Sequence, residues 1–207
     1  MRNSSTAVVY QLKVALRGIS PLIWRRLLVY AETSIADLHH ILQLAMGWTD
    51  SHLHRFVIHG KEYGVTYDGG MGFADNPKQI RLRDFRFHLR ERFLYDYDFN
   101  DNWQHDVRVE QIVAADMRRT YPMCIGGKRA APPEESGGVD VYLAEWRRWQ
   151  YAFLCHRLQD GVRDADRDCL TDDKNQDIDE PGYDPNYFDR RPVNAQLQRW
   201  GARGGQL

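Results

Sequence analysis

From Val8 to Leu16 the chain alternates, with Val8, Tyr10, Leu12, Val14 and Leu16 in one register and Val9, Gln11, Lys13 and Ala15 in the other. A two-residue period sustained over this stretch puts one set on a single face of a β-strand, so the chain has to supply both a sheet and something apolar to cover it. The turn residues GISP, Gly18 to Pro21, and the apolar run LIWRRLLVY, Leu22 to Tyr30, return that strand as a hairpin. Ser34 and Asp37 have the spacing of a capping box. Ile35, Leu38, Ile41, Leu42, Ala45 and Met46 then recur at helical spacing up to Gly47, which predicts a covering helix over 35–46.

Strand patterns resume at 53–59 (LHRFVIH), 91–99 (ERFLYDYDF) and 103–112 (NWQHDVRVEQ), the last two joined by the turn formers Asn100, Asp101 and Asn102. Residues 121–138, YPMCIGGKRAAPPEESGG, are rich in Gly and Pro and predict a loop. Tyr142, Leu143, Trp146, Trp149, Phe153 and Leu154 predict a long amphipathic helix ending near Leu158. The order β-β-α-β-β-β-α is that of an α+β domain, two hairpins and a further strand in a sheet packed on a helix, with C-terminal helices. Its opening β-β-α-β section is compatible with a β-grasp-like sheet. Tyr10, Leu12, Val14, Leu38, Leu42, Phe56 and Val107 are expected to share one core, because each is an apolar periodic position.

Charge divides the chain. Residues 160–189 carry eleven acidic and three basic side chains, whereas residues 190–207 carry four arginines and no acid. An α+β body over 1–159, an acidic loop over 160–183 and a C-terminal extension of the same domain over 184–207 follow. The whole molecule, at a net charge of -1, attracts neither nucleic acid nor an anionic membrane, so any such binding needs a local patch. No apolar run approaches the roughly 18 residues of a membrane span, and MRNSSTAVVYQLKV lacks the apolar stretch of a secretory signal. Three scattered cysteines (Cys124, Cys155, Cys169) fit reduced thiols. A cytoplasmic location with no membrane partner is the expectation.

Four stretches carry candidate chemistry. In GWTDSHLHRF, His52 and His54 share one face at the start of a strand and have the spacing to ligate one metal ion, given further ligands from elsewhere. A packed and a solvated histidine would give the same pattern. In YDYDFNDNWQH, Asp96 and Asp98 share a face, Asp101 sits in the turn and His105 stands across the hairpin, an arrangement for a divalent cation, for acid-base work or for fixing the turn. The loop bearing Lys128, Arg129, Glu134 and Glu135 matches no phosphate-binding pattern, and reads as a lid, a docking loop or a connector. Arg81, Arg83, Arg86, Arg90 and Arg92, interleaved with Phe85, Phe87 and Leu89, have the makeup of a single-stranded nucleic-acid or phosphate surface. Arginine outnumbers lysine 23 to 5 over the whole chain, however, so a solvated face explains the stripe equally well.

Together, YQLKVALRGISPLIWRRLLV, LHHILQLAMGW, DSHLHRF, YDYDFNDNWQH, YPMCIGGKRAAPPEESGG, DPNYF and VNAQL resemble the plasmid pRiA4b ORF-3-like family, also known as insertion-element passenger TnpR-family proteins. The resemblance implies a fold and a setting in bacterial plasmids and mobile elements, and it implies no activity. The family pattern YDFGDxWxH has a glycine where this chain has Asn100, which tolerates the same left-handed backbone. The pattern CPPEDCGG has two cysteines and an aspartate where this chain has Ala131, Ser136 and Glu135, which leaves Cys124 as one thiol of three and argues against a structural zinc there.

The expected function is a non-enzymatic binding module for a protein or small-molecule ligand. Its surface would draw on His52, His54, Asp98, Asp101, Trp103, His105, Glu134 and Glu135, at strand ends and loops where recognition groups gather. One alternative is a metal-dependent hydrolase or nuclease whose divalent ion sits on His52, His54, Asp98 and His105, with Asp101 beside them. The other is a nucleic-acid accessory protein using Arg81 to Arg92, for which the overall charge predicts at most weak, nonspecific binding.

Overall fold

The computed structural model describes residues 7–65, 72–73, 75–150 and 183–204, and the backbone of 151–159. Almost all of the expected acidic loop, and the side chains of Phe153 and Leu154, lie outside the described residues.

The alternating N-terminal run forms β1 (Val8–Leu16), and its apolar register faces inward from Tyr10 to Leu16 with Leu12 and Val14 fully buried, whereas Val8 is exposed and Val9 is buried. It pairs with β2 (Trp24–Tyr30) on one side and with the long β6 (Trp103–Ala114) on the other. Beyond β6 come β5 (Arg92–Tyr97), β3 (His54–Ile58) and β4 (Lys61–Gly64), and beyond β2 lies β7 (Met123–Lys128). The result is one seven-stranded, wholly antiparallel sheet in the order β4-β3-β5-β6-β1-β2-β7. The α+β class therefore stands, with a different grouping of its opening elements. β3 is separated from the first hairpin by β5 and β6, so β1, β2, α1 and β3 do not make a sheet of their own.

The covering helix α1 (Ile35–Met46) has the predicted bounds. Ser34 Oγ accepts the Asp37 backbone N–H at 3.0 Å, Asp37 reaches back to the Ser34 N–H, and Gly47 ends the helix at φ 83. Its apolar stripe and the inner sheet face form one core containing all seven residues expected there. Ser34→Ala is expected to cost roughly 1 kcal/mol in urea unfolding, as a lost N-cap does. An unchanged midpoint would show that the cap contributes nothing.

The expected loop over 121–138 holds a strand. The glycines of CIGGK read as loop punctuation, but they are where neighbours approach the β7 backbone. A Cβ on Gly127 would lie 2.4 Å from the Phe188 ring, and one on Gly126 would touch Trp24. Among the described residues two further helices follow, α2 (Gly138–Gln159) and α3 (Arg190–Ala202), and α3 packs on β7 and α1. Asn194 of α3 takes the Cys124 N–H on Oδ1 at 2.7 Å and gives its own Nδ2–H to the Cys124 carbonyl at 2.9 Å, while Arg190 donates to Ile125 O. These side chains use the polar groups that an edge strand would otherwise leave open. No helix among the described residues is long and apolar enough to cross a membrane.

Candidate metal centre

Helix α1 turns His39 and Gln43 toward the sheet, where both are buried. After Gly47 the chain crosses to β3 through Trp48–Leu53. Within this crossing Asp50 adopts a left-handed φ of 64°, a conformation aspartate tolerates better than most residues. Its carboxylate meets His39 Nε2 at 2.5 Å and His40 Nδ1 at 3.3 Å. His54, the first residue of β3, points to the inner face because the β3 register buries alternate residues. There its ring stacks on that of His39, with centroids 3.4 Å apart and planes 6° from parallel.

A hydrogen-bond chain fixes this arrangement. The Asp50 N–H donates to Gln43 Oε1 at 3.2 Å, so the Gln43 amide presents Nε2–H to Tyr95 Oη at 2.8 Å. The phenol proton is then left for His39 Nδ1 at 2.8 Å, and His39 Nε2–H faces Asp50. Burial lowers the basicity of His39. Burial, reinforced by the neighbouring His39, brings His54 down to about 3. Burial raises the Asp50 carboxyl, but the hydrogen bonds from His39 and His40 outweigh it and hold the group well below the usual carboxylate range. At neutral pH the cluster is therefore two neutral imidazoles and one carboxylate; for His39 to ligate a metal through Nε2, its proton moves to Nδ1, which then donates to Tyr95 Oη.

One ligand atom from each of His39, Asp50 and His54 lies within 4.8 Å of the others. Ligands about 2.0–2.2 Å from a tetrahedral ion stand roughly 3.4 Å apart, so rotations that close about 1.4 Å would seat one. Two nitrogens and one oxygen suit a first-row transition ion better than calcium or magnesium, which prefer all-oxygen sets. His54 Nε2 is buried and has no hydrogen-bond partner among the described residues. The cluster opens onto a cavity of about 460 Å³.

The residues expected from sequence are distributed among several places. His54 joins this cluster. His52 lies beyond it, against a second cavity of about 330 Å³ that also reaches Asp50 and Asp98. Its Nδ1 is 3.7 Å from Asp98 and its Nε2 3.7 Å from Glu135. Asp98 accepts the backbone N–H groups of Asn100 and Asp101 at 3.0 and 3.4 Å, and Asp101 accepts that of Gly137 at 3.0 Å. The left-handed residues of this turn are Asp98 and Asn102, which flank Asn100. His105 and Trp103 are fully buried on the inner face, with His105 Nδ1 3.2 Å from Tyr95 O. Glu134 takes the Tyr97 hydroxyl at 2.5 Å and the Thr49 N–H at 2.8 Å, tying the Pro-rich loop to the crossing that carries Asp50.

The arginine stripe runs through a short 3₁₀ turn, Leu82–Phe85, and the turns after it. Its aromatic members face inward, with Phe87 stacked between Phe85 and Phe93. Arg81 and Arg83 bond Glu32.

His39, His40 and Asp50 were missed because the two histidines sit in a helical pattern that the apolar positions already explain. The available signal was density: four of the chain's eight histidines, with Asp50, fall within residues 39–54.

The model of the family described as plasmid pRiA4b ORF-3-like protein matches residues 8–192. The uncharacterized protein y4hQ of Sinorhizobium fredii is 31% identical over 165 residues, covering 79% of this chain and 80% of that one. The crystal structure of a protein of unknown function, MM3350, from Methanosarcina mazei Go1 is similar at a TM-score of 0.70 and 35% identity, covering 91% of this chain and 98% of that one.

Proposed function

This chain belongs to the plasmid pRiA4b ORF-3-like protein family, and from the geometry of its histidine cleft we propose that it is a binding module holding one transition-metal ion on His39, Asp50 and His54. The observation that carries the reading is the orphaned His54 Nε2. A buried nitrogen without a partner costs roughly 1–3 kcal/mol, and an ion shared with its two neighbours would remove that cost. Tyr95 and Gln43 would then orient the His39 ring from behind, as outer-shell partners do at metal sites.

Binding is favoured over hydrolysis by the state of the carboxylates. Among the described residues lining the cavity, Asp50 would itself be a ligand and Asp75 is paired with Lys61, so neither is free to act as a general base. The mobile-element association and the cytoplasmic location stay part of this proposal, resting on the family resemblance and the sequence composition.

Titration of metal-stripped protein with Zn²⁺ should show one equivalent bound. His54→Ala and Asp50→Asn should each weaken binding at least about 100-fold, and Tyr95→Phe about 10–100-fold. His52→Ala should retain the ion, which separates this donor set from the His52, His54, Asp98 and His105 quartet. Absence of binding at micromolar zinc, or equal affinity in the His54 variant, would refute the assignment.

A further inference from the structure

The cavity above the donors has an uneven lining. Ala36, Val65, Phe73 and Pro77 give it an apolar wall, and the cationic residue Lys78 also lies in its lining. Asp75 is neutralised by Lys61, and His40 faces Asp50, whereas Lys78 makes no ion pair among the described residues. A divalent ion on two neutral imidazoles and one carboxylate carries a net single positive charge, to which Lys78 adds a second. In a walled cavity such a field favours an anion over a neutral molecule of the same shape. Three protein ligands also leave the ion a coordination position for an outside group, and a space of about 460 Å³ is the size of a small-molecule site.

We propose that the loaded cleft takes a small organic carboxylate with an apolar body, its carboxylate on the ion near Lys78 and its body against Val65, Phe73 and Pro77. The inference rests on the metal reading above and adds the class of ligand. A carboxylate is preferred to a bulkier polyanion because the described residues of the wall offer one lysine without an ion pair and four apolar side chains, enough for one charged head and a hydrophobic remainder. No bond is made or broken in the ligand, which displaces water from the ion.

Cobalt(II) replaces zinc as a visible probe, because its absorption bands respond to a change of ligand. Protein loaded with Co²⁺ is titrated with benzoate, acetate and benzamide. Benzoate should shift the bands and bind at least about tenfold more tightly than acetate, which lacks the apolar body, and benzamide, which lacks the charge, should leave the spectrum unchanged. Lys78→Gln, compared at equal cobalt occupancy, should weaken benzoate about tenfold. Cobalt bound but unresponsive to benzoate, or acetate and benzamide matching it, would overturn the ligand class and leave the metal site standing. Failure to bind cobalt at all would overturn both.

Discussion

Replacing Gly138 with alanine is expected to destabilise the protein by roughly 3 kcal/mol, a fall in Tm of about 6–12 °C for a chain of this size. Gly138 has a φ of 81°, and a Cβ there would stand 2.6 Å from the Asp101 carbonyl oxygen. The left-handed conformation alone costs an L-residue roughly 1–2 kcal/mol. The remainder comes from backbone that has no room to yield, since Asp101 is held in the β5–β6 turn and bonded to Gly137. Gly60→Ala is the control, because Gly60 shares the positive φ, at 76°, but has no atom of the described residues within 4 Å of its Cβ position. It should cost about 1 kcal/mol. Equal losses in chemical unfolding would show that the contact with Asp101 does not matter.

Acid should remove a comparable amount through His105. Burial lowers this imidazole to about 4, against the opposing hydrogen bonds to the Tyr95 and Trp103 backbone. In the unfolded chain it takes up a proton near its ordinary value of about 6.5. Between these values the unfolded state binds more protons, so stability falls as pH is lowered through the window and is fully present above it. The loss at pH 4 from this residue alone is roughly 3 kcal/mol. His54 titrates in the same direction, so the test is a difference: His105→Phe should show a shallower decline of unfolding free energy from pH 7 to 4 than the parent chain. Parallel profiles would mean that His105 already shares its burial cost with the unfolded state.

The strands and helices that could be read from the sequence were those whose periodicity has one cause. β1 alternates because one face is buried, and α1 is bounded by a cap and a glycine that act locally, so its ends appear in the sequence at Ser34 and Gly47. β7 was hidden because its glycines answer to Phe188 and Trp24, residues distant along the chain, and nothing near Gly126 or Gly127 reveals them. The site divides in the same way. His54 was visible as one of a pair in a strand. His39 needed the knowledge that β3 would lie under α1, which depends on β5 inserting between β3 and β6. His105 shows the converse: its neighbours YDYDFNDNW suggested chemistry, while its register placed it in the core beside Trp48.

The closure of β7 by α3 also sets a schedule for the growing chain. Asn194 lies 70 positions after Cys124, so every strand of the sheet has been synthesised well before the side chains that shut its edge exist. Until then the nascent protein carries a nearly complete sheet whose β7 ladder of donors and acceptors is still unpaired, the form in which β-proteins most readily join one another. Interrupted translation in that interval yields a fragment prone to aggregate rather than a smaller working protein.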